Sequence, residues 1–320
     1  MLLVLQGCSK PNKGGAPTAA SGAAAGSEGK VVKIAFVTNN ASQFWKIAEA
    51  GLRKYEKEAK VQVDMKMPPN GTPEDQNQIL QNLASQGYDA IAVSVIAPKD
   101  QLRILNEVAD KTNLITFDSD AEKSKRLLYI GTNNFEAGKT LGAQIVKLLP
   151  NGGEMAVFVG TLAADNAQQR LKGIEDVVTP AKIKIVDRRE DGEDRGKARS
   201  NVEDVLNAHH GLGLVAGLYS YNGSQIASAL DGPKKGKVKA AVFDEEAGTL
   251  AGIEAGTIDC TVVQKPYEFG YLASKWMHAL ATKPEAMQTL PANKTIDTGV
   301  DVIDKTNVAA FKAKLAELKK

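Results

Sequence analysis

The chain has 320 residues, 43% of them hydrophobic and 24% charged, with a formal net charge of +2. That suits a globular protein of about two domains, and no basic block of the kind that holds nucleic acid occurs. No apolar run approaches the ~18 residues of a membrane-crossing helix, and two cysteines, Cys8 and Cys260, leave no room for a disulfide framework.

The first residues, "LLVLQGCSK", are apolar up to a lone cysteine. Leu5-Gln6-Gly7-Cys8 resembles the lipobox of bacterial lipoproteins, whose cysteine thiol receives a diacylglycerol. Residues 1–8 are therefore expected to be the end of a truncated lipoprotein signal, with Cys8 the lipidation site. Residues 9–32 are rich in Gly, Ala, Ser and Pro and bury too little to offset their ordering entropy, which predicts a flexible tether.

From Val31 the pattern changes. "VVKIAFVT" is a β-branched run that reads as a buried parallel strand, followed by a helix over 42–60 with Ser42 as its N-cap. Strands at 61–67, 88–95, 114–118 and 127–132 then alternate with helices at 72–87, 98–111 and 134–149. At "EMAVFVGT" the rhythm restarts, with strands at 154–161, 182–189, 212–220, 237–244 and 260–264. Between and after them lie helices at 166–178, 196–209, 222–231, 248–256 and 267–280. An extended stretch at 294–304 and an amphipathic helix at 307–320 close the chain. Alternating elements of these lengths indicate an α/β fold of parallel sheets flanked by helices. The two passes predict two similar lobes, and the parallel wording of "KIAFVTNN" and "EMAVFVGT" hints at an internal duplication. Cys260, inside a buried-strand pattern, reads as an inert packed thiol.

Ligands of open α/β sheets bind beyond the carboxyl ends of the strands. There the sequence places Asn39, Asn40, Phe44 and Trp45, then Asp118, Ser119 and Asp120, then Asn134. Later strands end at Asp165, Asn166 and Gln168, at Asn222, at Asp244 and at Gln264. Carboxylates accept from sugar hydroxyls and amides both donate and accept, while an aromatic stacks on the apolar face of a sugar ring. Each Asp or Asn taken alone is as readily a helix cap or turn former; the whole set carries the argument. Phe44 and Trp45 are adjacent on a helix, so at most one of them is expected to be deeply buried.

From about Lys33 to Ile303 these segments resemble the type I periplasmic sugar-binding proteins of ABC transporters, the ribose-binding branch. "LITFDSDA" is similar to the family's strand ending in a ligand-binding Asp, and "AAVFDEEAGTLAGIEAGTIDCTVVQKPYEFG" carries Asp244 and Gln264 at ligand positions. The resemblance implies two Rossmann-like lobes joined by a three-strand hinge near 132–134, 264–266 and 296–298. One lobe is then 33–132 plus 266–296, and the other 133–265 plus 297–320. It also implies a monomer that takes a small sugar, needs no cofactor or metal, and delivers its cargo to permease subunits from the periplasm or cell envelope. Implied ligand residues are Asn39, Asn40, Phe44, Trp45, Asp118, Ser119, Asn134, Gln168, Asn222, Asp244 and Gln264. Ribose binders have arginines where Ser119 and Gln168 stand, so a different hydroxyl pattern is expected, with Asp120 and Asp165 contributing and Glu193 or Tyr221 filling further wall positions. Arg170, the nearest guanidinium, reads as a packing residue.

An enzyme is a poor fit: there is no HExxH, no GxSxG and no P-loop lysine. His209 and His210 end a helix and suit a cap better than a metal site. A sugar-responsive repressor of this fold needs a helix-turn-helix where the tether stands. The remaining alternative keeps the fold and exchanges the sugar for a nucleoside or furanose-like signal molecule, or makes the protein a sensor subunit.

Overall fold

The computed structural model describes residues 31–41, 44–232 and 236–318; the lipobox with Cys8, residues 9–30 of the expected tether and the Ser42 cap lie outside them. The chain begins with β1 (Ile34–Val37), α1 (Phe44–Ala59), β2 (Val63–Lys66), α2 (Pro73–Ser85), β3 (Ala90–Val93), α3 (Leu102–Ala109), β4 (Asn113–Phe117) and β5 (Tyr129–Gly131). After residues 132–133 come α4 (Asn134–Leu148), β6 (Gly153–Val159), α5 (Asp165–Val178), β7 (Ile183–Glu190), α6 (Arg195–Ala208) and β8 (Leu212–Gly217). Then follow α7 (Ser220–Leu230), β9 (Lys239–Phe243), α8 (Ala247–Ala255), β10 (Cys260–Val263), α9 (Pro266–Thr282), β11 (Thr295–Asp297), β12 (Asp301–Asp304) and α10 (Val308–Leu318).

These strands build two six-stranded sheets, ordered β11-β5-β4-β3-β1-β2 and β12-β10-β9-β8-β6-β7. The orders correspond strand for strand. Every pairing is parallel except β12 with β10. Helices cover both faces, so central strands such as β1, β3 and β10 are buried at every residue, which is why they read as continuous apolar runs rather than alternating ones. Alternate β1 residues serve different cores. Ile34 and Phe36 pack with α1 and α9, while Ala35 and Val37 pack with α2 and α3. Cys260, at the start of β10, is a buried free thiol whose surroundings push its pKa up to about 12.

The chain passes between the sheets three times, at residues 132–133, 264–265 and 298–300. The extended stretch at 294–304 is two strands in different sheets: β11 pairs parallel with β5, and β12 antiparallel with β10. In each lobe the helix after the first strand is fused to the helix that has just crossed over. A Cβ on Gly51 of α1 would strike the Tyr267 carbonyl of α9, and one on Gly270 the Ala48 carbonyl. Gly138 of α4 and Gly173 of α5 meet the Arg170 and Phe135 carbonyls in the same way. Only glycine permits backbones to approach so closely.

Candidate functional site

A cavity of about 510 Å³ opens between the sheets, beyond the carboxyl ends of their strands, with walls from both lobes and from Gln264 at the second crossing. Two aspartates face it from corresponding positions. Asp118 follows Phe117 at the end of β4, and Asp244 follows Phe243 at the end of β9. Both adopt left-handed backbones, φ 57° and φ 65°, a region uncommon for L-residues but one that Asp tolerates better than most. The Asp118 amide donates to Ile130 O (3.1 Å) and its carbonyl accepts from Tyr129 Oη (2.8 Å). The Asp244 amide donates to Val262 O (2.9 Å) and its carbonyl accepts from Thr261 Oγ1 (2.7 Å). A neighbouring strand thus pins each turn, and the carboxylates are aimed rather than free to swing.

Their electrostatics differ. Asp118 accepts from Ser94 Oγ at 2.8 Å. Burial raises its pKa to about 6, against the pull of that hydrogen bond and of Arg170. Asp244 accepts from Gln264 Nε2 at 3.0 Å and lies 4.0 Å from the Arg170 guanidinium. Burial raises its pKa too, opposed by Arg170 and Gln264. Arg170 itself is 3% exposed. It donates to Asn134 Oδ1 (2.9 Å) and Leu218 O (2.7 Å) and lies over the Phe243 ring.

Trp45 is the deeply buried aromatic, 1% exposed and packed edge-on against Phe36 and Phe117. Its indole N–H donates to Asn39 Oδ1 (3.2 Å) and Asn40 Oδ1 (3.0 Å), which ties both amides to the cavity wall. Phe44, half-buried, stands edge-on to Trp45. Ser119 also lines the cavity and donates to Val95 O. Of the eleven expected ligand residues, Asn39, Asn40, Phe44, Trp45, Asp118, Ser119, Asp244 and Gln264 are brought together on its walls, while Asn134, Gln168 and Asn222 are not. Asn134 sits behind Arg170 and holds it. Asn222 caps α7 by accepting from the Tyr219 amide (2.9 Å) and donates to Asp191 (3.1 Å). Gln168 is exposed, and its side chain donates to Ala163 O at 3.5 Å. Asp120 is engaged by Arg126 (2.6 Å), and Asp165 faces Lys99 at 3.9 Å across the cleft.

Arg170, read from sequence as packing, lines the cavity, and so do Asn70, Asn166, Glu193, Tyr219 and Tyr221. Tyr221 donates to the buried Asp191 carboxylate. Glu193 is exposed, and the partial burial of its carboxyl together with nearby Asp191 pushes its pKa up. No cluster of His, Cys, Asp and Glu able to hold a metal occurs among the described residues.

The family defined by the periplasmic binding protein domain matches residues 34–285. The chain belongs to this family. Within it, an ABC-transporter solute-binding protein of Burkholderia graminis, solved with D-arabinose, is similar at 31% identity and TM-score 0.82, over 87% of this chain and 97% of that one. A glucose-galactose binding protein of Geobacillus stearothermophilus gives 26% identity and TM-score 0.79, over 87% and 99%. Among curated proteins, a xylose/arabinose-binding protein of Sulfolobus acidocaldarius is 27% identical over 71% of this chain but 59% of its own length. The ribose import binding protein of Bacillus subtilis is 24% identical over 70% and 73%. These matches bear out the fold of two helix-flanked, mostly parallel sheets and the ribose-binding branch of type I periplasmic binding proteins. The relatives are named as binding proteins, not enzymes, and the family name points to the periplasm or cell envelope.

Proposed function

We propose that this periplasmic binding protein captures a small neutral sugar in the cleft and delivers it to the permease of an ABC transporter. The observation that carries the reading is the pair of pinned carboxylates, Asp118 and Asp244, aimed into one cavity from matching strand ends. Each accepts from ring hydroxyls, Gln264 and Arg170 supply donors, and Phe44, with Tyr219 and Tyr221 on the same cavity's wall, offers a surface for the apolar face of the ring. A site built on hydroxyl hydrogen bonds rejects analogues that leave its polar groups unpaired. The sugars named for the relatives support this reading over a nucleoside or signal molecule.

The lobes, 33–132 with 266–297 and 133–265 with 301–318, close on the ligand by rotation at the three crossings, whose few residues absorb the backbone change. The expected boundary at 296–297 moves to 298–300 because β11 pairs with β5 through Asp297. Closure is driven only by the ligand's higher affinity for the closed state. The protein acts as a monomer, and a diacylglycerol on Cys8 holds it beside the permease. Size-exclusion with light scattering and membrane fractionation of Cys8→Ala test these two points: a dimer, or unchanged fractionation, counts against them.

The direct test is thermal melting of the protein against pentoses, hexoses, polyols and nucleosides. A ligand at ~100 times its Kd stabilises the native state by about 2.7 kcal/mol. A shift with one sugar is the expected result. A shift with a nucleoside alone, or with none of the panel, overturns the reading.

A further inference from the structure

Among the described residues, six other than glycine have positive φ: Lys60, Asp118, Lys182, Glu193, Asp244 and Lys294. The three lysines and Glu193 are exposed and lie in connections between elements. The three acids all line the cavity. Asp118 and Asp244 already have a use there; Glu193 has none.

Its backbone, φ 66° directly after Gly192 at φ 63°, is held by its neighbours rather than by its own side chain. The Glu193 amide donates to Asp191 Oδ1 (2.9 Å), and Asp191 is itself fixed by Tyr221 Oη and Asn222 Nδ2. On the other side Asp194 caps α6 by accepting from the Lys197 amide (2.9 Å). Among the described residues no hydrogen bond or ion pair engages the Glu193 carboxylate. The nearby cation, Arg195, is paired with Glu246 and lies over the Tyr221 ring. Glycine would suit this backbone better. What sets Glu193 apart from the lysines of like backbone is its place: a carboxylate with no partner in the fold, on a turn held by Asp191, at the wall of the cavity.

We infer that Glu193 is a specificity-determining residue of the cleft, accepting a hydrogen bond from a hydroxyl on the edge of the ligand that faces Tyr219 and Tyr221. An ionised carboxylate only accepts, so this edge must carry a donor, and a ligand deoxygenated or alkylated there leaves the carboxylate unpaired. The inference rests on the sugar reading above.

The test uses the sugar giving the largest thermal shift and its monodeoxy analogues, with Kd measured by titration calorimetry for wild type, Glu193→Gly and Glu193→Gln. Without ligand, Glu193→Gly is expected to melt at or above the wild-type temperature, because the left-handed backbone is relieved. Its Kd rises tenfold or more, and that of Glu193→Gln rises less. One monodeoxy analogue, weakened at least tenfold against wild type, loses nothing further against Glu193→Gly. Wild-type Kd in both variants, or equal further losses for every analogue, overturns the inference alone. Failure of every sugar to bind wild type overturns the sugar reading, and this inference with it.

Discussion

Asp118 and Asp244 occupy the same turn in corresponding sheets, yet their surroundings differ. In the first lobe the carboxylate meets a serine hydroxyl, and the wall beside it is Phe44 backed by Trp45 and two asparagines. In the second lobe the carboxylate is tied to Gln264 and approached by a guanidinium that is fixed to Asn134 and Leu218, and the wall carries tyrosines. One half offers a stacking surface with a carboxyl poised near neutrality, and the other a pre-organised charged network. A shared backbone plan thus fixes where the acids point, while the side chains behind them decide how each responds to ligand and pH.

The largest effect should come from breaking the charged half. Asp244→Ala removes charge-assisted hydrogen bonds worth about 1.5–3 kcal/mol each, so calorimetry should find affinity down a hundredfold or more, with the circular dichroism spectrum unchanged. Wild-type affinity in this variant would take Asp244 out of the site. The two aromatics of the first half should then separate. Trp45→Ala removes a core side chain and should cost about 3–5 kcal/mol in urea unfolding. Phe44→Ala should unfold nearly as wild type and bind about tenfold more weakly. Equal stability losses in the two variants would erase the distinction drawn between core and wall.

A smaller effect concerns pH. With the Asp118 pKa raised to about 6, affinity should fall severalfold between pH 7 and pH 5 as the acceptor becomes protonated, and Asp118→Asn should flatten that profile. For the ligand-free protein the sign is opposite. A folded-state pKa above the unfolded value near ~4 contributes stability that is complete below pH ~4 and is lost as pH rises through about 6. Asp118→Asn should therefore melt above wild type at pH 7; a lower melting point would contradict the assigned shift. Least of all should be Lys99→Ala. Its exposed partner Asp165 lies 3.9 Å away across the cleft, and such pairs contribute about 0–1 kcal/mol. Any loss of affinity should vanish in high salt.

Much of this was legible in the chain. The buried strands announce themselves because both faces of each sheet are covered, and the resemblance puts both Asp118 and Asp244 at ligand positions. A cavity role for Arg170 was not legible, because it lies on the second turn of α5, past the loop where strand-end reasoning looks, and there a guanidinium reads as packing. Gly138, which lets α4 settle against the Arg170 backbone, is a local sign of that burial. Asn222 shows the opposite limit: in sequence a cap and a ligand residue look alike, and here its amide is spent on α7 and Asp191. The stretch at 294–304 reads from its residues as one extended run; only the resemblance put a crossing in it, near 296–298, and the division falls at 298–300, between β11 and β12.

The route of the last segments bears on how the molecule assembles. Phe269, Ala273 and Met277 of α9 share a core with Phe36 and Trp45, and β11 forms the edge of the first sheet. On a ribosome, residues 32–132 would emerge well ahead of the helix that fills their interior. The first lobe must wait, partly open, until the second has been almost wholly made. Such distant pairings slow folding and leave apolar surface uncovered in the interval, so a chain halted before α9 is expected to be the form most in need of a chaperone.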